Sequence, residues 1–212
     1  MSKKHQARHS RDTKTKGHGS IRILVIFVLL LFVGVMVFFF VSDTSYKGTK
    51  GKVYKFIYQQ QYGEQVAKYA AEFGVEEALV FAVIRTESGF RSDAESDAGA
   101  IGLMQLMPST FEWLQESLDG EVTYSSDSLT DPDINIRYGT YLLSLLLKQY
   151  EVQDTAIAAY NAGTSTVDGW LQDSSISPDG KTLSSIPYEE TENYVERVDK
   201  AYNLYKKLYY ED

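Results

Sequence analysis

The hydrophobic positions of this chain fall into two unlike patterns. From Ile23 to Val41 the sequence "ILVIFVLLLFVGVMVFFFV" runs nineteen residues without a charge. At helical rise such a length covers a hydrocarbon core of about 30 Å, so it predicts a transmembrane helix. A cleaved signal peptide is the rival reading, but its apolar region usually spans ~7–15 residues and ends in a small-residue cleavage pattern, which does not follow here. Beyond Val53 the apolar residues recur at helical spacing instead. They predict helices at 55–73, 76–88, 108–118, 132–149, 153–161, 164–171 and 188–208. Pro108, Pro132 and Gly163 punctuate these stretches at helix starts and ends, where each residue type is tolerated. Strand alternation is nearly absent, and irregular loops are expected at 89–107 and 172–187. The expected fold class is mainly α, a single compact helical domain after an N-terminal transmembrane helix.

Charge sharpens this division. The chain has 21 Lys and Arg and 29 Asp and Glu; residues 1–22 hold seven of the bases (Lys3, Lys4, Arg8, Arg11, Lys14, Lys16, Arg22) and one acid, Asp12, leaving 14 bases and 28 acids beyond them. Basic segments stay on the cytoplasmic side of a membrane. The expected organisation is therefore a cytoplasmic tail (1–22), a single membrane span (23–41), a polar, glycine-bearing spacer (42–52) and an extracytoplasmic domain (53–212) at the cell membrane. The membrane is then a partner through residues 23–41. The acidic balance of the domain repels phosphate backbones and disfavours nucleic acid as another.

Several chemistries drop out by residue type. The chain has no cysteine, hence neither a disulfide framework nor a lipidated Cys. Its three histidines, His5, His9 and His18, all lie in the tail. Cys-His and Ser-His-Asp catalysis are removed with them, as is a His/Cys ligand set for zinc. The stretch "DGEVTYSSDSLTDPD" lacks the ligand spacing of a calcium loop and reads as a solvated turn. No metal and no cofactor are expected, and acid–base chemistry falls to carboxylates.

One carboxylate stands apart. In "EEALVFAVIRTESGF", Glu87 has Ile84, Val83, Val80 and Leu79 as its helical neighbours on the preceding turns, so it rises from an apolar stripe. Desolvation and the negative helix end both disfavour the anion, which predicts a raised pKa of the kind a general acid needs near neutrality. The competing reading is a glutamate bent into solvent while Ser88 and Gly89 end the helix.

Three sequence blocks bear on that choice: "ESGFRSDAESDAGAIGLMQLMPST", "AAYNAG" and "IPYEETENYVERV". In their order and approximate spacing the chain resembles the soluble lytic transglycosylase family from about Val53 to Tyr209. The resemblance implies a goose-type-lysozyme-like helical domain and an enzyme that cleaves the MurNAc–GlcNAc β-1,4 bond of peptidoglycan glycan strands. It implies Glu87 as the single catalytic acid/base, and substrate contacts from Ser96, Gly102, Leu103, Met104, Gln105, Tyr160, Asn161 and Tyr194. A cell-wall assembly or secretion machine is a further partner class.

The residues also carry readings of their own. Gly99 and Gly102 suit a backbone that approaches a sugar closely, or a plain glycine turn ahead of core Leu103, Met104, Leu106 and Met107. Met104 fits an apolar sugar face and a packing gap equally well. An amide inside an apolar run needs a partner, which favours function for Gln105. Tyr160 and Asn161 close an alanine-rich helix, so Asn161 to Gly163 is a simple cap if the resemblance is set aside. Most tyrosines of the last helix are expected on its core-facing stripe. Two function classes stay open, the enzyme and a non-catalytic glycan-binding scaffold. Within the first, a lysozyme-like hydrolase would usually employ a second carboxylate, for which Asp93, Glu95 and Asp97 are at hand although loop solvation is their simpler account.

Overall fold

The computed structural model describes residues 26, 28–36 and 49–211. The chain divides into two compact units, Met1–Tyr54 and Lys55–Asp212. In the first, residues 26 and 28–36 of the predicted membrane span are helical with exposed side chains. The rest of 23–41, the tail with its histidines, and residues 42–48 of the spacer lie outside the described residues. Among the described residues, no helix is long and apolar enough to cross a membrane.

In chain order the helices from residue 49 onward are α1 (Thr49–Ile57), α2 (Gly63–Phe73), α3 (Glu77–Glu87), α4 (Pro108–Asp119), α5 (Pro132–Gln149), α6 (Gln153–Ala162), α7 (Thr164–Gln172) and α8 (Glu189–Tyr205). A short 3-10 helix at Ser126–Thr130 precedes α5, and a π-helical turn at Lys206–Tyr210 follows α8. The strand-like pairing among the described residues is confined to isolated bridges of Ile101 with Glu95 and with Leu106, inside the loop after α3. The mainly α expectation therefore holds for this unit.

Local sequence accounts for several of these elements. Asp131 caps α5 by accepting from the Asp133 and Ile134 amides, and Pro132 occupies the first helical turn, where its missing N–H is not needed. Helix α3 has no polar stripe at all between Ala78 and Ile84, every one of which is buried. It is consequently the central helix, flanked by α2 and packed most extensively on α8. Val80, Phe81, Val83 and Ile84 have 0% exposure, and burial of each such side chain contributes about 1.5–3 kcal/mol before chain entropy is subtracted. Helix α5 packs on α2 and α6 and carries a second apolar cluster of Leu106, Phe111, Leu114, Leu129 and Tyr138. There the Phe111 and Tyr138 rings meet edge to face, 4.9 Å between centroids.

Two expectations need correction. The predicted helix over 55–73 is two helices, broken between Ile57 and Gly63, where Tyr62 takes a left-handed φ of 58°. The carbonyls released at the break find distant donors: Arg85 Nη1 on Ile57 O (2.8 Å), Tyr209 Oη on Tyr58 O (2.9 Å) and Tyr205 Oη on Gln59 O (3.2 Å). Tertiary bonds thus replace helical ones, which periodicity cannot register. The stretch read as a solvated turn also contains the 3-10 helix Ser126–Thr130, folded over the buried Leu129.

Candidate active site

Glu87 closes α3, Tyr160 and Asn161 lie in the last turn of α6, and Tyr194 lies on α8. Since α8 packs on both α3 and α6, it draws these side chains together. The buried Tyr194 donates its hydroxyl to Glu87 Oε1 at 2.7 Å. Glu87 is half-buried, and burial pushes its pKa up from 4.5 to about 7, against the Tyr194 hydrogen bond and the Arg197 charge, which favour the anion. This is the carboxyl rising from an apolar stripe, not one bent into solvent. Burial also lifts the Tyr194 and Tyr160 phenols well above their usual range, and the nearby Glu87 charge adds to the shift, so both stay neutral hydrogen-bond donors.

The loop after α3 is tied down by side chains from α5 and α6 and by its own first residue. Ser88 Oγ, just past Glu87, donates to Leu103 O at 2.8 Å and accepts from the Phe90 amide at 3.1 Å. Tyr160 Oη donates to Met104 O at 2.8 Å. Asn135 of α5 is wholly buried and spends its amide on the same segment: Oδ1 accepts from Met104 N (2.7 Å), and Nδ2 donates to Ile101 O (3.0 Å) and Leu129 O (2.8 Å). Ser96 Oγ accepts from the Ala100 amide at 3.0 Å, closing the turn between them. Beside the loop, Thr191 of α8 donates to Asn161 Oδ1 at 2.8 Å, which leaves the Asn161 amide NH2 group unused by that bond.

Some sequence readings change here. Gly102 (φ +83°) is closely approached, but by protein: a Cβ there would lie 2.2 Å from Asn135 Nδ2 and 2.2 Å from Leu129 O. Gly99 has open space around it. Leu103 and Met104 have 0% exposure and are core residues. Met104 fills the notch over Gly139, where an added Cβ would stand 2.5 Å from its sulfur. Of the two readings held for Met104, the side chain takes packing. The Gln105 amide finds its partners in the loop itself, Nε2 donating to Ala94 O (3.1 Å) and Gly102 O (2.9 Å). Asp93, Glu95 and Asp97 are exposed on the loop, and none is hydrogen-bonded to Glu87.

Sequence reasoning missed Ser88, Asn135, Thr191 and Arg197. Ser88, Thr191 and Arg197 stand inside the quoted blocks and were open to notice. Asn135 follows a capped proline start with nothing to mark it, and its role exists only once α5 meets the loop.

The sequence matches the Transglycosylase SLT domain family over residues 64–182, and the chain belongs to that family. The match covers Glu87 and every other candidate residue except Tyr194. The chain is 32% identical over 153 residues to the soluble lytic murein transglycosylase of Escherichia coli K12, an alignment covering 71% of this chain and 24% of that protein. It is 31% identical over 169 residues to membrane-bound lytic murein transglycosylase C of Actinobacillus pleuropneumoniae, covering 69% of this chain and 46% of that protein. A solved structure of an inactive glutamate-to-glutamine mutant of the lytic transglycosylase Slt from Pseudomonas aeruginosa is 34% identical with a TM-score of 0.63, over 71% of this chain and 24% of that one. The chain thus spans about a quarter of the length of its soluble relatives.

Proposed function

We propose that the chain is a peptidoglycan lytic transglycosylase in which Glu87 serves as both acid and base. The observation that carries this reading is the Glu87–Tyr194 pair, a carboxyl with a pKa of about 7 held by a neutral phenol. Tyr194 donates to Oε1, so the acid proton resides on Oε2. It passes to the departing GlcNAc O4 as the C1–O4 bond breaks, with oxocarbenium character developing at MurNAc C1. The carboxylate left behind is favoured by the Tyr194 bond and the Arg197 charge. It then takes the proton of the MurNAc C6 hydroxyl while that oxygen bonds to C1. No water is consumed and no second carboxylate is needed, and the product is a 1,6-anhydro-MurNAc end. The intramolecular attack profits from proximity.

The remaining candidates divide by position. Gly102, Leu103 and Met104 shape a rigid wall held by Ser88, Asn135 and Tyr160; Ser96, Asn161 and the Oε1 of Gln105, whose NH2 group is committed to the loop, are the polar groups beside it that contact the glycan. The names of the relatives, soluble and membrane-bound lytic murein transglycosylases, support the substrate class. The apolar run 23–41 and its basic flank support a single-pass anchor with the domain outside the cytoplasmic membrane, within reach of newly made glycan.

Digestion of purified peptidoglycan followed by mass spectrometry tests the activity. Anhydro ends are expected from the wild-type protein and none from Glu87→Gln. Reducing MurNAc ends would make the protein a hydrolase, and binding of glycan without cleavage by the wild type would make it a scaffold. Protease treatment of spheroplasts tests the topology: the domain should be digested, and its protection would reverse the orientation.

A further inference from the structure

A concavity of about 300 Å³ is lined by Tyr58, Arg85, Thr86, Arg197, Lys200 and Ala201. Its charge is anomalous. From residue 53 onward the chain has 11 Lys and Arg against 27 Asp and Glu, yet three of those cations converge here and no acid lines the pocket. Elsewhere Lys68, Arg137, Lys181 and Lys206 each pair with a carboxylate. Arg85 is held in place, with Nη1 on Ile57 O at 2.8 Å and the guanidinium 3.9 Å above the Tyr58 ring. Arg197 and Lys200 form neither a hydrogen bond nor an ion pair with another described residue, although the Arg197 charge acts on Glu87 at longer range. Like charges gathered in one hollow repel each other, and a bound anion removes that repulsion.

We propose that this pocket is an oxyanion site for a phosphate monoester or diester, bound by Arg197 and Lys200 over the fixed Arg85–Tyr58 platform. Two guanidinium groups and an ammonium supply three positive charges and donors from several directions, which suits a tetrahedral, multiply charged oxyanion better than a single carboxylate. The Thr86 hydroxyl is already committed to Ala82 O at 2.8 Å, so the cations do the binding. Two sources present this chemistry, soluble or wall-borne phosphate and a lipid headgroup. Tyr58 stands only 17 positions after Val41, the end of the predicted membrane span.

The test is a titration of inorganic phosphate into the full-length protein in phosphatidylcholine nanodiscs at constant ionic strength, read by calorimetry and independent of any enzymatic activity. Saturable binding at one site is expected. Arg197→Gln and Lys200→Gln, both at exposed positions, should each weaken it by about tenfold, the loss of one charge-assisted contact. Lys181→Gln, remote from the pocket, should leave it unchanged. In phosphatidylglycerol nanodiscs, weaker phosphate binding assigns the pocket to the headgroup, and equal binding assigns it to soluble or wall-borne phosphate. Absence of saturable binding, or full binding by both pocket variants, overturns the site. Acetate binding as tightly as phosphate overturns the phosphate assignment.

Discussion

Tyr194 donates a hydrogen bond to Glu87 Oε1 at 2.7 Å, although 107 positions separate the two residues in the chain. The bond joins the end of the central helix to the last helix of the unit. With the Arg197 charge it opposes the burial that raises the Glu87 pKa, so the value of about 7 is a balance between burial and these two groups.

That balance makes Glu87 a stability determinant with a definite pH signature. Its folded pKa is about 7 against 4.5 for the free group. Between these values the folded state holds a proton that the unfolded state has released, so stability falls as pH rises and levels off above pH 7. Glu87→Gln should match the wild type in thermal melts near pH 4. Above pH 7 it should be more stable by about 2 kcal/mol, allowing for the partial exposure of the group. Equal melting differences at both pH values would refute the shifted pKa.

Activity should follow the same proton. Lytic activity is expected to decline as pH rises through about 7, where Glu87 loses its acid form. Tyr194→Phe removes a donor that favours the anion, so the decline should move to higher pH while the maximal rate drops through lost orientation. A pH–rate profile of the variant displaced downward, or not displaced at all, would contradict this arrangement.

The two loop glycines should respond differently to alanine. At Gly99 only the positive φ of 86° is strained, which costs about 1 kcal/mol. At Gly102 the new Cβ also meets Leu129 O and Asn135 Nδ2, each at 2.2 Å, and should cost about 3 kcal/mol or more. Urea unfolding of Gly99→Ala and Gly102→Ala distinguishes the two, and only the second should markedly lower activity.

Asn135→Asp keeps the acceptor for Met104 N but turns a buried carboxylate oxygen toward the carbonyls of Ile101 and Leu129. A loss of about 3–5 kcal/mol at pH 8 is expected, shrinking toward pH 5 as the carboxyl gains a proton and can donate again. Chemical denaturation at the two pH values measures it. A pH-independent loss would mean that the amide donors are not what holds the loop.

Thr191→Val removes the hydroxyl that orients Asn161 Oδ1 while leaving the helix intact. The expected outcome is a raised KM for glycan strands with little change in melting temperature. An unchanged KM would leave Asn161 as a helix cap.

The sequence alone determined the helices whose cause is local. The segment 132–149 emerged with both ends correct, since Asp131 and Pro132 write its start and an apolar periodicity carries it to Gln149. The raised pKa of Glu87 was legible for the same reason, because helical geometry places its apolar neighbours three and four residues away. What depended on distant segments was not. The break after Ile57 is stabilised by Tyr205, Tyr209 and Arg85; Gly102 is required by Asn135, the Gln105 amide nitrogen is tied to the carbonyls of Ala94 and Gly102, and Met104 packs in the core. Periodicity reports which face of a helix is apolar, but not what that face will meet. Only the packing of α8 onto α3 and α6 decided that a buried tyrosine would face the carboxyl of Glu87.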